Sequence, residues 1–157
     1  MKGITTALTV LLCLLISGCA AKAEPEASAA PVSLEETNME EIGMKLFIND
    51  TEVPVTWEKN DSVTALRDLA LGEGLTVSMS MYGGFEQVGP IGQRLPRDDR
   101  QTTTGSGDIV LYSSDQIVVF YGSNSWAYTR LGHVELSQSE MTELLANGDV
   151  TLRITEG

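Results

Sequence analysis

Histidine occurs once in the 157 residues, and both cysteines, Cys13 and Cys19, lie close to the start of the chain. A lone His133 excludes a multi-histidine metal site and leaves one side chain for general-base work near neutral pH. It falls in a strand-like stretch between Leu131 and Glu135, where no motif places a serine beside it, and reads as a surface or half-buried residue. Bases are scarce as well: 10 Lys and Arg against 22 Asp and Glu give a net charge of -12. That balance excludes nucleic acid as a partner, because such binding needs phosphates neutralised by Lys and Arg. It also argues against an anionic lipid surface as the partner of the folded domain. No glycine-rich phosphate loop, carboxylate pair at a recognised spacing, nucleotide motif or internal repeat is present, so neither metal nor cofactor is expected.

Long apolar runs are confined to the N-terminus. Residues 1–18 have one basic residue, Lys2, then an apolar run over residues 4–16, then the small pair Ser17-Gly18, which is the layout of a secretory signal too short to span a bilayer as a mature helix. The tetrapeptide Ile16-Ser17-Gly18-Cys19 resembles the lipobox of bacterial lipoproteins. The resemblance implies cleavage before Cys19 and acylation of its thiol and amine. The domain would then be anchored to the bilayer on the extracytoplasmic side of the bacterial cell membrane. Two or more chains suffice, since each buried methylene contributes about 0.8 kcal/mol and one chain is marginal. With Cys13 lost and Cys19 blocked, no thiol, disulfide or cysteine metal site would remain. Residues 19–43 are rich in Ala, Glu, Pro and Ser and too poor in apolar side chains to fold, so they read as a disordered acidic tether.

The folded domain is expected over residues 44–157. A strand at 44–49 and a second around Val53, Val55 and Trp57 come first, with Pro54 marking an edge or bulge because it cannot donate to a ladder. A helix capped by Asn60 or Asp61 carries Val63, Leu66, Leu69 and Ala70 on one stripe and stops at Gly72. Residues 75–82 alternate, with Leu75, Val77, Met79 and Met81 on one face, the methionines reading as core filling. Residues 89–106 form a long irregular loop with a short strand at 101–104, a length that suggests function or mobility. Two apolar runs, 109–112 and 117–121, form a hairpin buried on both faces and act as the central wall. Its exit, Tyr121-Gly122 into residues 123–126, should deliver side chains to the rim of any site. A strand over 128–135, a helix opened by the capping box Ser137 to Glu140, and a strand over 150–155 complete the chain.

This order predicts a mainly β fold, a closed barrel of about eight strands with two short capping helices. The segments Met81-Tyr82-Gly83-Gly84-Phe85-Glu86, Gly107-Asp108-Ile109-Val110-Leu111-Tyr112 and Phe120-Tyr121-Gly122-Ser123-Asn124 are similar to those of compact bacterial cyclophilin-like proteins. The resemblance implies a cyclophilin-like barrel over the whole domain. The Phe-His-Arg strand of true cyclophilins, whose arginine serves prolyl isomerisation, would align with Phe85-Glu86-Gln87, so the arginine is missing. A binding module for a peptide or small molecule without catalysis is the expected function. A prolyl isomerase with a rearranged site and a structural or scaffolding module are the alternatives. The aromatics Tyr82, Phe85, Tyr121, Trp126 and Tyr128, with Gln87 and Arg130, are expected to line an apolar groove at one opening of the barrel. Arg94, Arg97 and Arg100 read either as a cluster for an anionic ligand or as a solvated loop paired with Asp98 and Asp99.

Overall fold

A computed structural model describes residues 43–157. The signal at 1–18 and, Gly43 apart, the tether at 19–43 lie outside the described residues. Strands β1 (Met44–Ile48), β2 (Thr51–Val53) and β3 (Val55–Trp57) precede helix α1 (Asp61–Ala70). Then come β4 (Leu75–Tyr82), β5 (Glu86–Pro90), β6 (Arg100–Thr103), β7 (Asp108–Tyr112), β8 (Gln116–Phe120) and β9 (Ser125–Val134). Helix α2 (Gln138–Leu145) and β10 (Val150–Glu156) end the chain. The strands hydrogen-bond in the order β2-β1-β10-β4-β5-β8-β7-β9-β3, with β6 paired to β9 off that path. The two ends of the path, β2 and β3, are separated in the chain by Pro54 alone, so the sheet comes nearly full circle. Counting β2 and β3 as one kinked strand leaves eight staves.

Pro54 makes that kink intelligible. It has no N–H to give a ladder, and it sits where the chain leaves β1 for β9, its carbonyl accepting from the Glu135 N–H at 2.9 Å. The two helices begin at the caps legible in the sequence. The Asn60 side chain accepts from the Val63 N–H at 3.0 Å, and Ser137 and Glu140 form a reciprocal capping box. Val63, Leu66 and Ala70 of α1 and Met141 and Leu145 of α2 enter the interior and close the core. The β7–β8 turn places Ser113 and Ser114 at φ 53° and 74°, the left-handed pair that matches the twist of a hairpin.

The hairpin is buried on both faces, for two different reasons. Ile109, Leu111, Ile117 and Val119 point inward into the main core with Leu46, Ile48, Leu131 and Leu152. The alternate residues Val110, Val118 and Phe120 point outward, where they pack with Tyr128 and the half-buried Phe85 and Val88 into a second, smaller cluster. Two readings change on the structure. Met81 is exposed, unlike Val77 and Met79, because the end of β4 runs past the core. The long loop after β5 is tied down: Ile91 and Leu95 are buried, and their N–H groups donate to the Asp115 and Ser114 carbonyls at 2.8 Å each.

Candidate functional site

The position of one acidic side chain follows from a glycine-bracketed turn. Gly83 and Gly84 adopt φ +62° and +73°, and a Cβ on Gly83 would strike the Phe85 ring. A Cβ on Gly122 would come within 2.6 Å of the Phe85 Cβ. The close approach lets the Tyr121 and Gly122 N–H groups both donate to the Phe85 carbonyl, at 3.0 and 2.9 Å. The first residue of β5 is thereby fixed, and the two-residue period of the strand does the rest. Gln87 turns inward, while Glu86 and Val88 face out onto the second cluster.

There they floor a cleft of about 370 Å³ whose walls are Tyr82, Tyr112, Val118, Asn124, Trp126 and Tyr128. Tyr128 is held edge-on between Tyr112 and Phe120, with ring centroids 6.1 and 5.8 Å away. Asn124 donates from Nδ2 to the Tyr128 hydroxyl at 3.1 Å. Tyr82 and Trp126 stand at the rim, 66% and 57% exposed, unusual for rings of that size unless the surface is used. Glu86 is only 6% exposed, and its Oε2 is buried without a hydrogen-bond partner among the described residues. Loss of solvation pushes its carboxyl up to about 7. The Tyr128 hydroxyl is also raised, first by its own burial and then by the neighbouring Glu86 charge. A carboxyl of this kind can pair with a cation when ionised, or donate a hydrogen bond when protonated.

A second cleft, about 430 Å³, lies on the other side of Tyr128 between α1, the loop before β6 and β9, and is lined among others by Glu58, Asn60, Arg97, Arg100, Thr129 and Arg130. Its polar groups are occupied. Asn60 Nδ2 donates to the Arg130 carbonyl at 2.9 Å and Ser62 Oγ to the Pro96 carbonyl at 2.6 Å. Thr129 Oγ1 donates to Asp99 at 2.7 Å and accepts from the Asp98 N–H at 2.8 Å. Asp108 receives Arg130 at 2.7 Å and His133 Nδ1 lies 2.9 Å from the same oxygen, while the other oxygen accepts from the Gly105 N–H at 2.9 Å. His133 thus belongs to a structural ion network. Among the described residues no group of three or more His, Cys, Asp or Glu side chains is gathered as metal ligands.

Of the side chains singled out in the sequence, the structure brings Tyr82 and Trp126 together at the first cleft, with Tyr128 beneath them. The site lies on the outer wall of the barrel, not at an opening. Phe85 supports it from the second cluster without lining it. Tyr121 is 6% exposed and belongs to the main core, because the hairpin's alternation turns it inward. Gln87 is fully buried, donating from Nε2 to the Leu145 and Gly148 carbonyls at 2.7 and 2.8 Å, where it holds the end of α2. Arg97 and Arg130 line the second cleft, and Arg94 lies on the loop beside Asp115. Arg94, Arg97 and Arg100 each have an aspartate within salt-bridge reach, at 3.6, 3.1 and 2.7 Å, so the loop largely neutralises itself. Glu86, Tyr112 and Asn124 were not singled out. The clue was present: a wall buried on both faces must have an outer cover, and Glu86 shares the outward parity of Val88.

Comparison with known proteins agrees with the architecture. The model of the cyclophilin-like family matches residues 46–155. No curated protein matches. Among solved structures, one described as the structure of McbB in complex with tryptophan is similar at a TM-score of 0.48 and 10% sequence identity, over 72% of this chain. The present chain spans 44% of the length of that one. With its barrel, its helices and the family match over most of its length, the chain belongs to the cyclophilin-like family.

Proposed function

We propose that this is a ligand-binding protein whose barrel takes a small molecule or a peptide side chain in the cleft above Glu86, without catalysis, while acyl chains on Cys19 hold it at the extracytoplasmic face of the bacterial membrane. The single observation that carries the binding reading is Glu86 itself. A carboxyl buried beneath aromatic rings with an unsatisfied oxygen is costly to fold, and such costs are retained where a ligand relieves them. The absence of catalysis is supported by the aligned strand. Gln87, which stands where the isomerase arginine would, commits its amide to α2 and has no free donor for a prolyl carbonyl. The anchor rests on the lipobox-like tetrapeptide ending at Cys19.

A screen of aromatic and aliphatic small molecules and short peptides, followed by Trp126 emission in the full chain, tests the binding reading. Saturable changes lost in Trp126→Ala are expected. Proline isomerisation in the same preparation should stay at the uncatalysed rate, and turnover abolished by Glu86→Gln would instead make the cleft an active site. Cys19→Ala should move the protein from the membrane fraction to the soluble one.

A further inference from the structure

Resting on the reading that the outer cleft is the ligand site, we propose that its ligand carries a protonated primary amine attached to an apolar group. Three observations converge on that class. First, the floor supplies a largely desolvated carboxylate: Glu86 lines the cleft at only 6% exposure, and its Oε2 has no donor among the described residues. An ammonium N–H satisfies it with a charge-assisted hydrogen bond, which is worth roughly twice a neutral one. Second, the walls are aromatic. Tyr82, Tyr112, Trp126 and Tyr128 surround the space over that carboxyl, and aromatic faces attract a cation within about 6 Å of the ring centroid. Third, the chain is acidic at a net -12, and among the described residues no Lys, Arg or His lines the cleft to compete for Glu86. Val88 and Val118 complete an apolar patch that suits the hydrocarbon part of such a ligand. At about 370 Å³ the cleft is at the small end of ligand sites, which fits one ring or a short alkyl chain beside the ammonium. An anionic ligand would meet the Glu86 charge, and a purely apolar one would bury the carboxylate further without giving it a partner.

The carboxyl couples this recognition to pH. With its proton leaving at about 7, Glu86 is about half protonated in the free protein at neutrality. Ammonium binding selects the ionised form and expels the remaining proton.

Calorimetric titration of the full chain with phenethylamine, 2-phenylethanol and phenylacetate at pH 8 tests the inference, since the three share a ring and differ in the charge at the end of the tail. Phenethylamine should bind at least tenfold tighter than 2-phenylethanol, and phenylacetate weakest. Affinity for the amine should fall about tenfold or more between pH 8 and pH 5, and titration at pH 7 in buffers of different ionisation enthalpy should show release of about half a proton. Glu86→Gln, which should fold at least as well as the parent, should bring amine and alcohol to the same affinity. Equal binding of amine and alcohol in the parent, or binding that strengthens as pH falls, would overturn the amine assignment. It would leave the cleft as a site for a neutral ligand, with Glu86 donating. No heat and no change in Trp126 emission with any of the three at millimolar concentration would overturn both this inference and the binding reading beneath it.

Discussion

The two clefts that flank Tyr128 are similar in volume and opposite in what their polar atoms have to do. The larger one is full of ionic side chains, yet its arginines, Asn60, Ser62 and Thr129 are engaged by neighbours from α1, β9 and the loop before β6. The smaller one has a single carboxyl at its floor, and that carboxyl has an oxygen with no partner among the described residues. Charge density on a surface therefore says little about function. A network that satisfies itself is architecture, whereas a desolvated carboxyl flooring an open cleft marks a place prepared for something else.

Substitutions that act on only one of these regions should separate architecture from site. The largest stability effect is expected at Gln87, on the interior face of the strand that carries Glu86. Gln87→Ala orphans two carbonyls at the end of α2 and should cost about 2–3 kcal/mol in denaturant unfolding, with ligand affinity in the surviving folded fraction unchanged. Next comes Glu86→Gln. The folded chain keeps a proton between about 4.5 and about 7 that the unfolded chain has lost, so wild-type stability falls as pH rises through that window and is flat above it. Removing the charge should therefore stabilise the protein by up to about 3 kcal/mol at pH 8, with no gain at pH 4, in unfolding curves recorded at both. In the self-satisfied cleft, Asn60→Ala loses the helix cap and the tie to Arg130, which should cost about 1 kcal/mol at every pH between 5 and 8. Smallest is the pair Arg94→Ala with Arg97→Ala, whose exposed ion pairs should change stability by less than about 1 kcal/mol and leave amine binding unaltered. A loss of amine binding in that double variant would move the site to the wrong cleft.

Much of the barrel could be read before any coordinates. The alternation of β4, the two helix caps and the doubly apolar hairpin are local signals, each decided by neighbouring residues. The closure at Pro54 was half legible: proline announces a break in a ladder, but which strands lie on either side of it is a long-range fact. The site was less legible for a geometric reason. Its wall residues come from β4, β5, β7, β8 and β9, and whether a side chain lines it depends on strand parity. Tyr121 and Phe120 are adjacent and equally aromatic, yet one enters the main core and the other supports the cleft. Likewise Gln87, expected at the groove, turns inward and its neighbour Glu86 faces the cleft, because the turn at Gly83 and Gly84 fixes which of them faces out. The arginine loop drew attention through composition, and the pairing that neutralises it depends on where Asp98, Asp99 and Asp115 fold.

Whether the outer cleft holds a desolvated carboxyl that a ligand relieves can be read from the Glu86 side-chain carboxyl carbon, followed by NMR through a pH titration of the full chain. A midpoint near 7 is expected in the free protein, with a fall of at least one pH unit when phenethylamine saturates the cleft. A midpoint near the ordinary 4.5, unmoved by the amine, would mean that water already reaches Glu86, and would contradict a desolvated carboxyl.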